Sequence, residues 1–217
     1  MYNAFDCNFP LRQDTAMLAF ASGMRYVGQY LSSNYKGLTV QAAAGIKVSG
    51  LKILSIYERD PVGAAYFTAA NAAYDAEDAH EQTQRLLQPH GSSVYFTVDY
   101  DASEADLPAI AAYFGAIRRA WPRLEQDEPG TLYGDLKAGD FAFLIGAYGS
   151  GLVLQHLLDA GLIERTWLSQ STAFAGYQAF VDSGRANVIQ GPQVSRWGIP
   201  FDEDTVATSE IGWVPTP

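Results

Sequence analysis

Carboxylates carry most of the chemistry this sequence can do, and their positions along the chain follow a pattern. Asp6 closes the short apolar run Ala4-Phe5-Asp6, and Glu58 follows Lys-Ile-Leu-Ser-Ile-Tyr at 52–57. Asp99 and Asp101 follow Val94–Val98, while Asp202 and Asp204 close the run that starts at Gly198. Each run reads as a β-strand, so acids stand at four strand ends. In a parallel barrel the C-terminal ends of all strands open on one face, where substrates bind. Asp99 and Asp101 are two apart, which in a regular strand points both to the same side. Clustered carboxylates raise one another's pKa, the property a general acid needs to stay protonated near neutrality. Asp6, Glu58, Asp99, Asp101 and Asp202 are therefore the candidate catalytic group. The structural alternative for any one of them is a cap or a loop; Asp14 reads as a helix cap and Asp204 as a turn residue.

Aromatic and amide side chains accompany these acids. Tyr30, Tyr57, Tyr100, Tyr148 and Trp167 lie at or near the same strand ends, and Gln190 closes the seventh strand. Such rings suit stacking on sugar faces, and a glutamine can bond hydroxyl or acetamido groups. The same rings could equally roof a barrel core. Other constellations are weaker. His80, His90 and His156 form no HxH or HExxH pattern, and no EF-hand loop is present, so neither metal nor cofactor is expected. No GxxxxGK[ST] or GxSxG occurs. Gly149-Ser150-Gly151 before a helix could receive a phosphate but lacks the dinucleotide fingerprint, and Ser150 reads as a helix cap. Cys7, the single cysteine, excludes an intramolecular disulfide and reads as a small core residue beside Asp6.

The elements that must position these residues alternate. Asp14 is expected to cap a helix burying Met17, Leu18, Ala21 and Met24. Tyr26–Leu31 reads as a strand, Leu38–Val48 as a helix and Lys52–Tyr57 as a strand. The alanine-rich window that follows places Ala72, Ala76, Ala79, Thr83 and Leu86 on one face. Val94–Val98 precedes the clearest helix, marked by Leu107, Ile110, Phe114, Ile117 and Trp121. Residues 122–140 read as an insertion. Phe143–Tyr148 then leads into a helix from Leu152 to Ala160, stopped by Gly161. Strand-like runs at Thr166–Ser169, Asn187–Gln190 and Gly198–Asp202 finish the chain, with little room between the last two for a helix. Alternation of this kind gives a parallel sheet with helices outside it. Five βα units followed by three plain strands fit a small barrel, and an open doubly wound sheet also alternates.

With 14 basic against 24 acidic residues the net charge is −10, which makes nucleic acid and anionic membranes poor partners. The 217 residues hold no linker long enough to divide them, so a single domain over 1–217 is expected. The N-terminus lacks a basic region followed by an apolar stretch, so no signal peptide is expected, leaving a cytoplasmic location or release by lysis or dedicated secretion. The charge-free stretch at 141–158 is interrupted by Gly146-Ala147-Tyr148-Gly149-Ser150-Gly151 and reads as strand-turn-helix rather than a membrane span. Nothing in the pattern speaks to oligomeric state.

Taken in order, these motifs are familiar. Phe5-Asp6-Cys7-Asn8, Tyr95-Phe96-Thr97-Val98-Asp99-Tyr100-Asp101, Ile145-Gly146-Ala147-Tyr148-Gly149-Ser150, Trp167-Leu168-Ser169-Gln170, Val188-Ile189-Gln190 and Ile199-Pro200-Phe201-Asp202 form one set. The set resembles the glycoside-hydrolase-like domain of unknown function 1906, a bacterial family similar to the family 25 lysozymes. That resemblance implies an α/β, TIM-like barrel of the (β/α)5β3 variant and a glycosidase acting on a bacterial polysaccharide, with peptidoglycan foremost. It implies that Asp6, Asp99 and Asp202 match acids of the lysozyme site, and that Tyr148, Trp167 and Gln190 match groove positions. Asp101 departs from the pattern, since the lysozymes place their proton-donating Glu there. Misplacement by the length of one methylene can cost on the order of 100-fold in rate. The expectation is therefore an acid at Asp101 or, failing that, Glu58, with Asp99 as the stabilising or water-activating carboxylate. The rival expectation is a non-catalytic glycan-binding barrel; a metal-dependent deacetylase or phosphodiesterase is a third.

Overall fold

Eight strands close into a barrel in the computed structural model, which describes residues 1–121, 142–209 and 211–216. In chain order they are β1 (Tyr2–Asp6), β2 (Met24–Tyr30), β3 (Lys52–Tyr57), β4 (Ser93–Thr97), β5 (Leu144–Gly149), β6 (Arg165–Leu168), β7 (Val188–Arg196) and β8 (Ile199–Val206). Neighbours from β1 to β7 pair in parallel, and β8 closes the ring antiparallel to both β7 and β1. The crossovers are α1 (Gln13–Ala21), α2 (Val40–Ser49), α3 (Ala69–Arg85), α4 (Leu107–Ala120), α5 (Gly151–Asp159) and the short α6 (Tyr177–Ser183). The expected TIM-like barrel is what forms, and the open sheet is excluded. One detail differs: α6 gives the sixth strand a seven-residue helix, so only the β7–β8 connection lacks one. The 122–140 stretch lies outside the described residues.

Side chains sort by strand alternation into an interior and an outer layer. Ala4, Tyr26, Leu54, Ile56, Tyr95, Trp167, Val188 and Val206 fill the barrel as one cluster. Tyr95 meets Trp167 edge-on at 5.4 Å. Gly28 leaves the space the indole needs, since a Cβ there would stand 2.6 Å from both Trp167 and Asp6. Outside, the helices lay apolar stripes on the sheet. On α4 Ile110, Phe114 and Ile117 are fully buried, each side chain contributing about 1.5–3 kcal/mol. The β7–β8 hairpin turns at Trp197 and Gly198, both at positive φ, after a register break between Gln190 and Gln193. Trp197 stacks on Phe201 at 5.1 Å, and both rings reach Phe5. That ribbon covers the outer side of β1, as a helix would in a regular unit.

Two local expectations fail for physical reasons. In α1 Met17, Leu18 and Ala21 are exposed, and the buried side chains are Thr15, Ala16 and Ala19. The helix approaches α2 closely, with Gln13 so near Gly45 that a Cβ there would meet it at 2.9 Å. Small residues win that face, and Met24 belongs to β2. Asp14 is no cap: Arg12 holds that position, and Asp14 pairs with its guanidinium at 2.8 Å. Ser150 does cap α5, accepting from Val153 N. Cys7 is buried, as expected, with burial pushing its thiol up to about 12.

Candidate functional site

A cavity of about 280 Å³ opens where the parallel strands end. β1 brings Asp6 to it, the residue after β3 brings Glu58, the segment after β4 brings Asp99, and β8 brings Asp202. Tyr30, Tyr148, Trp167 and Gln190 line it as well, with Gln170 and Ser171 at the edge. Asp202 arrives by a route unlike the others. Because β8 runs backwards, its early residues reach the mouth, and Asp202 lies in register with Asp6. The carboxyl is therefore within the strand rather than at its end.

Gln190 organises the floor. Its Nε2 donates to Asp6 Oδ2 at 2.9 Å and to Asp202 Oδ2 at 3.3 Å. Its Oε1 accepts from the Tyr148 hydroxyl at 2.8 Å and from the Gln170 backbone N–H at 3.3 Å. Carboxylates only accept, so these partners leave the amide a single sensible orientation. Above it, Lys36 Nζ lies 3.2 Å from Glu58 Oε1 and 5.4 Å from the centre of the Tyr30 ring.

Electrostatics follow from four acids and one cation in a half-enclosed space. Burial raises the Asp6 carboxyl to about 7; the Gln190 hydrogen bond opposes the rise and Asp202 adds to it. Burial also raises Glu58 and Asp99, and Lys36 works against both shifts. Asp202 rises by burial, with Gln170 holding it back. Tyr30 and Tyr148 are pushed far upward by burial and by the acids, so their hydroxyls stay protonated as donors. All four carboxyls are thus shifted toward their neutral forms, the direction in which general acids are tuned. Among the described residues no group of three or more His, Cys, Asp or Glu side chains is arranged to hold a metal ion. A larger cleft of about 640 Å³ lies between α1 and α2, lined by Arg12, Asp14, Met17, Thr39 and Gln41, and no acids with raised pKa converge there.

Three sequence candidates fall outside the cavity. Asp101 is exposed, and its Oδ1 accepts from Ala175 N at 2.9 Å, tying the loop after β4 to the loop after β6. β4 ends at Thr97, so the two-residue alternation that would align Asp99 and Asp101 has already stopped. Tyr57 alternates outward from Ile56 and Glu58 and bonds Asp75 and Asp78 of α3. Tyr100 packs against Phe67 instead, with ring centres 6.0 Å apart. Sequence reasoning also misses members. Lys36 stands in the loop after β2, where a search of strand-to-helix loops for cations finds it. Asp204 is no turn residue: it lies within β8, 3% exposed, next to Asp6.

Comparison with known proteins places this geometry in context. The family model of the Rv2525c-like, glycoside hydrolase-like domain matches residues 16–197. The chain is 29% identical over 165 residues to the uncharacterized protein YbfG of Bacillus subtilis, a match covering 71% of this chain and 21% of YbfG. It thus spans about a fifth of that relative's length. Among solved structures, the Tat-secreted protein Rv2525c of Mycobacterium tuberculosis in complex with L-tartrate superposes with a TM-score of 0.73 at 17% identity, over 97% of this chain and 98% of that one. A muramidase from Acremonium alcalophilum superposes with a TM-score of 0.52 at 12% identity, over 96% and 95% of the two chains. At these identities the structures speak for the fold.

Proposed function

From the premise that the chain belongs to the Rv2525c-like, glycoside hydrolase-like family, we propose that its barrel mouth hydrolyses a glycosidic bond in a bacterial polysaccharide, with peptidoglycan the first substrate to test. One observation carries the reading: Asp6, Glu58, Asp99 and Asp202 share a single cavity with Tyr30, Tyr148 and Gln190. At about 280 Å³ the cavity sits at the lower edge of ligand pockets, roughly 300–1,000 Å³. It suits one ring-sized group, with the rest of a polymer lying across the rim.

Glu58 is the proton donor in this scheme. Burial favours its neutral form, Lys36 opposes this and Asp99 adds to it, and its side chain lines the mouth. Asp99 is the carboxylate that stabilises the developing positive charge or activates water, the two-acid arrangement common to glycosidases. Asp6 and Asp202, held on the Gln190 amide, set the charge below the substrate. Asp101 is given no part, since its carboxyl is engaged by Ala175 N.

The experiment is turbidity loss of a peptidoglycan suspension with the wild-type protein and with Asp99→Asn. The expected result is clearing by wild type and a loss of at least about 100-fold in the variant. Equal rates would overturn the reading. A second reading is favoured by the Lys36–Glu58 ion pair, which opposes protonation of Glu58: a barrel that binds glycan without cutting it. Sedimentation with peptidoglycan in the absence of any clearing would select it.

A further inference from the structure

A second acid lies beneath Asp6. Asp204 stands opposite Ala4 on β1 and Gln190 on β7. It is 3% exposed, and neither of its carboxyl oxygens has a hydrogen-bond partner of good geometry. Its surroundings explain the deficit. β1 presents Asp6 to it, β8 presents Asp202, and β6 presents the Trp167 indole. β7 presents Gln190, whose amide is already committed to Asp6, Asp202, Tyr148 and Gln170. No ion pair among the described residues involves Asp204 or Asp6. A carboxylate buried against another carboxylate, with no cation at hand, takes up a proton rather than stay charged.

We propose that Asp204 is a neutral carboxylic acid in the barrel interior and donates a hydrogen bond to the Asp6 carboxylate, which makes it the positioning residue that fixes the charge and orientation of Asp6 under the cavity. The pair then carries one negative charge where two acids would carry two. The donated O–H points to Asp6, and the remaining carbonyl oxygen faces the indole N–H of Trp167. Burial pushes the Asp204 carboxyl upward, and the charges of Asp6 and Asp202 add to the rise, in keeping with the proton that its unpartnered, buried position calls for. The assignment of the proton stands apart from the glycosidase reading; its effect on turnover rests on that reading.

The test uses infrared spectroscopy of the folded chain in mildly alkaline buffer. Wild type is expected to show a protonated-carboxyl stretch that disappears in Asp204→Asn. The asparagine keeps the shape, donating an N–H to Asp6 and offering its carbonyl to Trp167. A pH series of thermal unfolding gives a second readout. The fold holds extra protons on groups whose pKa exceeds the unfolded value near about 4. Their stabilisation is complete below that value and is lost as pH climbs through the raised folded values. Asp204→Asn should therefore lose less Tm than wild type as pH rises past neutrality. If the variant does not fold, carbon NMR of aspartate-labelled wild type decides: the Asp204 carboxyl, assigned through the β8 backbone, should keep its protonated shift above neutrality. Absence of the stretch in wild type, its survival in Asp204→Asn, or an ionised Asp204 shift would each overturn the proposal. A wild type that cuts no glycan yet shows the stretch supports the proposal and removes only the glycosidase reading.

Discussion

Two buried aspartates, one in the outer layer and one inside the barrel, show how differently the two regions of this molecule treat a carboxyl taken out of water. Asp75, on α3 in the outer layer, is fully buried and accepts from the hydroxyls of Tyr57, Tyr66 and Tyr113 and from Arg59 Nε, at 3.3, 2.5, 2.6 and 3.1 Å. Asp204, inside the barrel, is buried almost as deeply and has no partner of good geometry. Both carboxyls left water, yet one met three phenols and a guanidinium while the other met a second acid. Burial alone therefore says nothing of role; the supply of donors does. Asp75 joins the segment after β3 to α3 and α4, and its bonds to Tyr57 and Arg59 flank Glu58 on either side. The outer cluster ties the strand end that carries Glu58 to α3 and α4.

The largest effect expected from this contrast is on stability. Asp75→Ala leaves the hydroxyls of Tyr66 and Tyr113 without their acceptor, while Tyr57 keeps Asp78 and Arg59 keeps Asn71; each part-buried or buried hydroxyl so orphaned costs about 1–3 kcal/mol. Chemical denaturation of the variant checks this, and a cost under about 1 kcal/mol would break the contrast. Next comes Gln190→Ala, which leaves Asp6, Asp202 and the Tyr148 hydroxyl without their shared partner. A loss of about 1–3 kcal/mol is expected. The Asp6 carboxyl should rise further above about 7, because the hydrogen bond that opposes burial is gone, and NMR titration reads that shift. The smallest change is Lys36→Met at the rim. Its pair with Glu58 is partly solvated and is worth less than about 1 kcal/mol in stability. Removing the cation lets Glu58 hold its proton to higher pH, so the alkaline limb of the pH–rate profile should move upward. An unmoved limb would take Glu58 out of the proton-donor role.

Much of the frame is legible in the amino-acid order. Lys52–Tyr57 forms as expected, and the face of α3 carrying Ala72, Ala76, Ala79 and Thr83 is buried, because apolar periodicity reports directly on burial. The acids that close β1 and follow β3 and β4 are legible too, since a parallel barrel gathers its strand ends. The errors have two sources. One is strand alternation: carried past the last hydrogen-bonded residue of β4 it puts Asp101 in the mouth, and overlooked at the end of β3 it leaves Tyr57 there although its side chain turns outward. Long-range register is the other. Nothing local in Ile-Pro-Phe-Asp-Glu-Asp reveals that β8 runs backwards, so the pairing of Asp202 with Asp6 and the burial of Asp204 follow only from closure of the barrel. The small-residue face of α1 is a related case, where close approach of α2 outranks the apolar side chains of Met17 and Leu18.

The central claim, that the acids of the mouth cut a glycosidic bond with water, is tested most directly by digesting peptidoglycan in water enriched in the heavy oxygen isotope and analysing the fragments by mass spectrometry. The account predicts new reducing ends, each carrying one heavy oxygen, from wild type and none from Asp99→Asn. Fragments without the label, or glycan bound by wild type with no new ends, would contradict it.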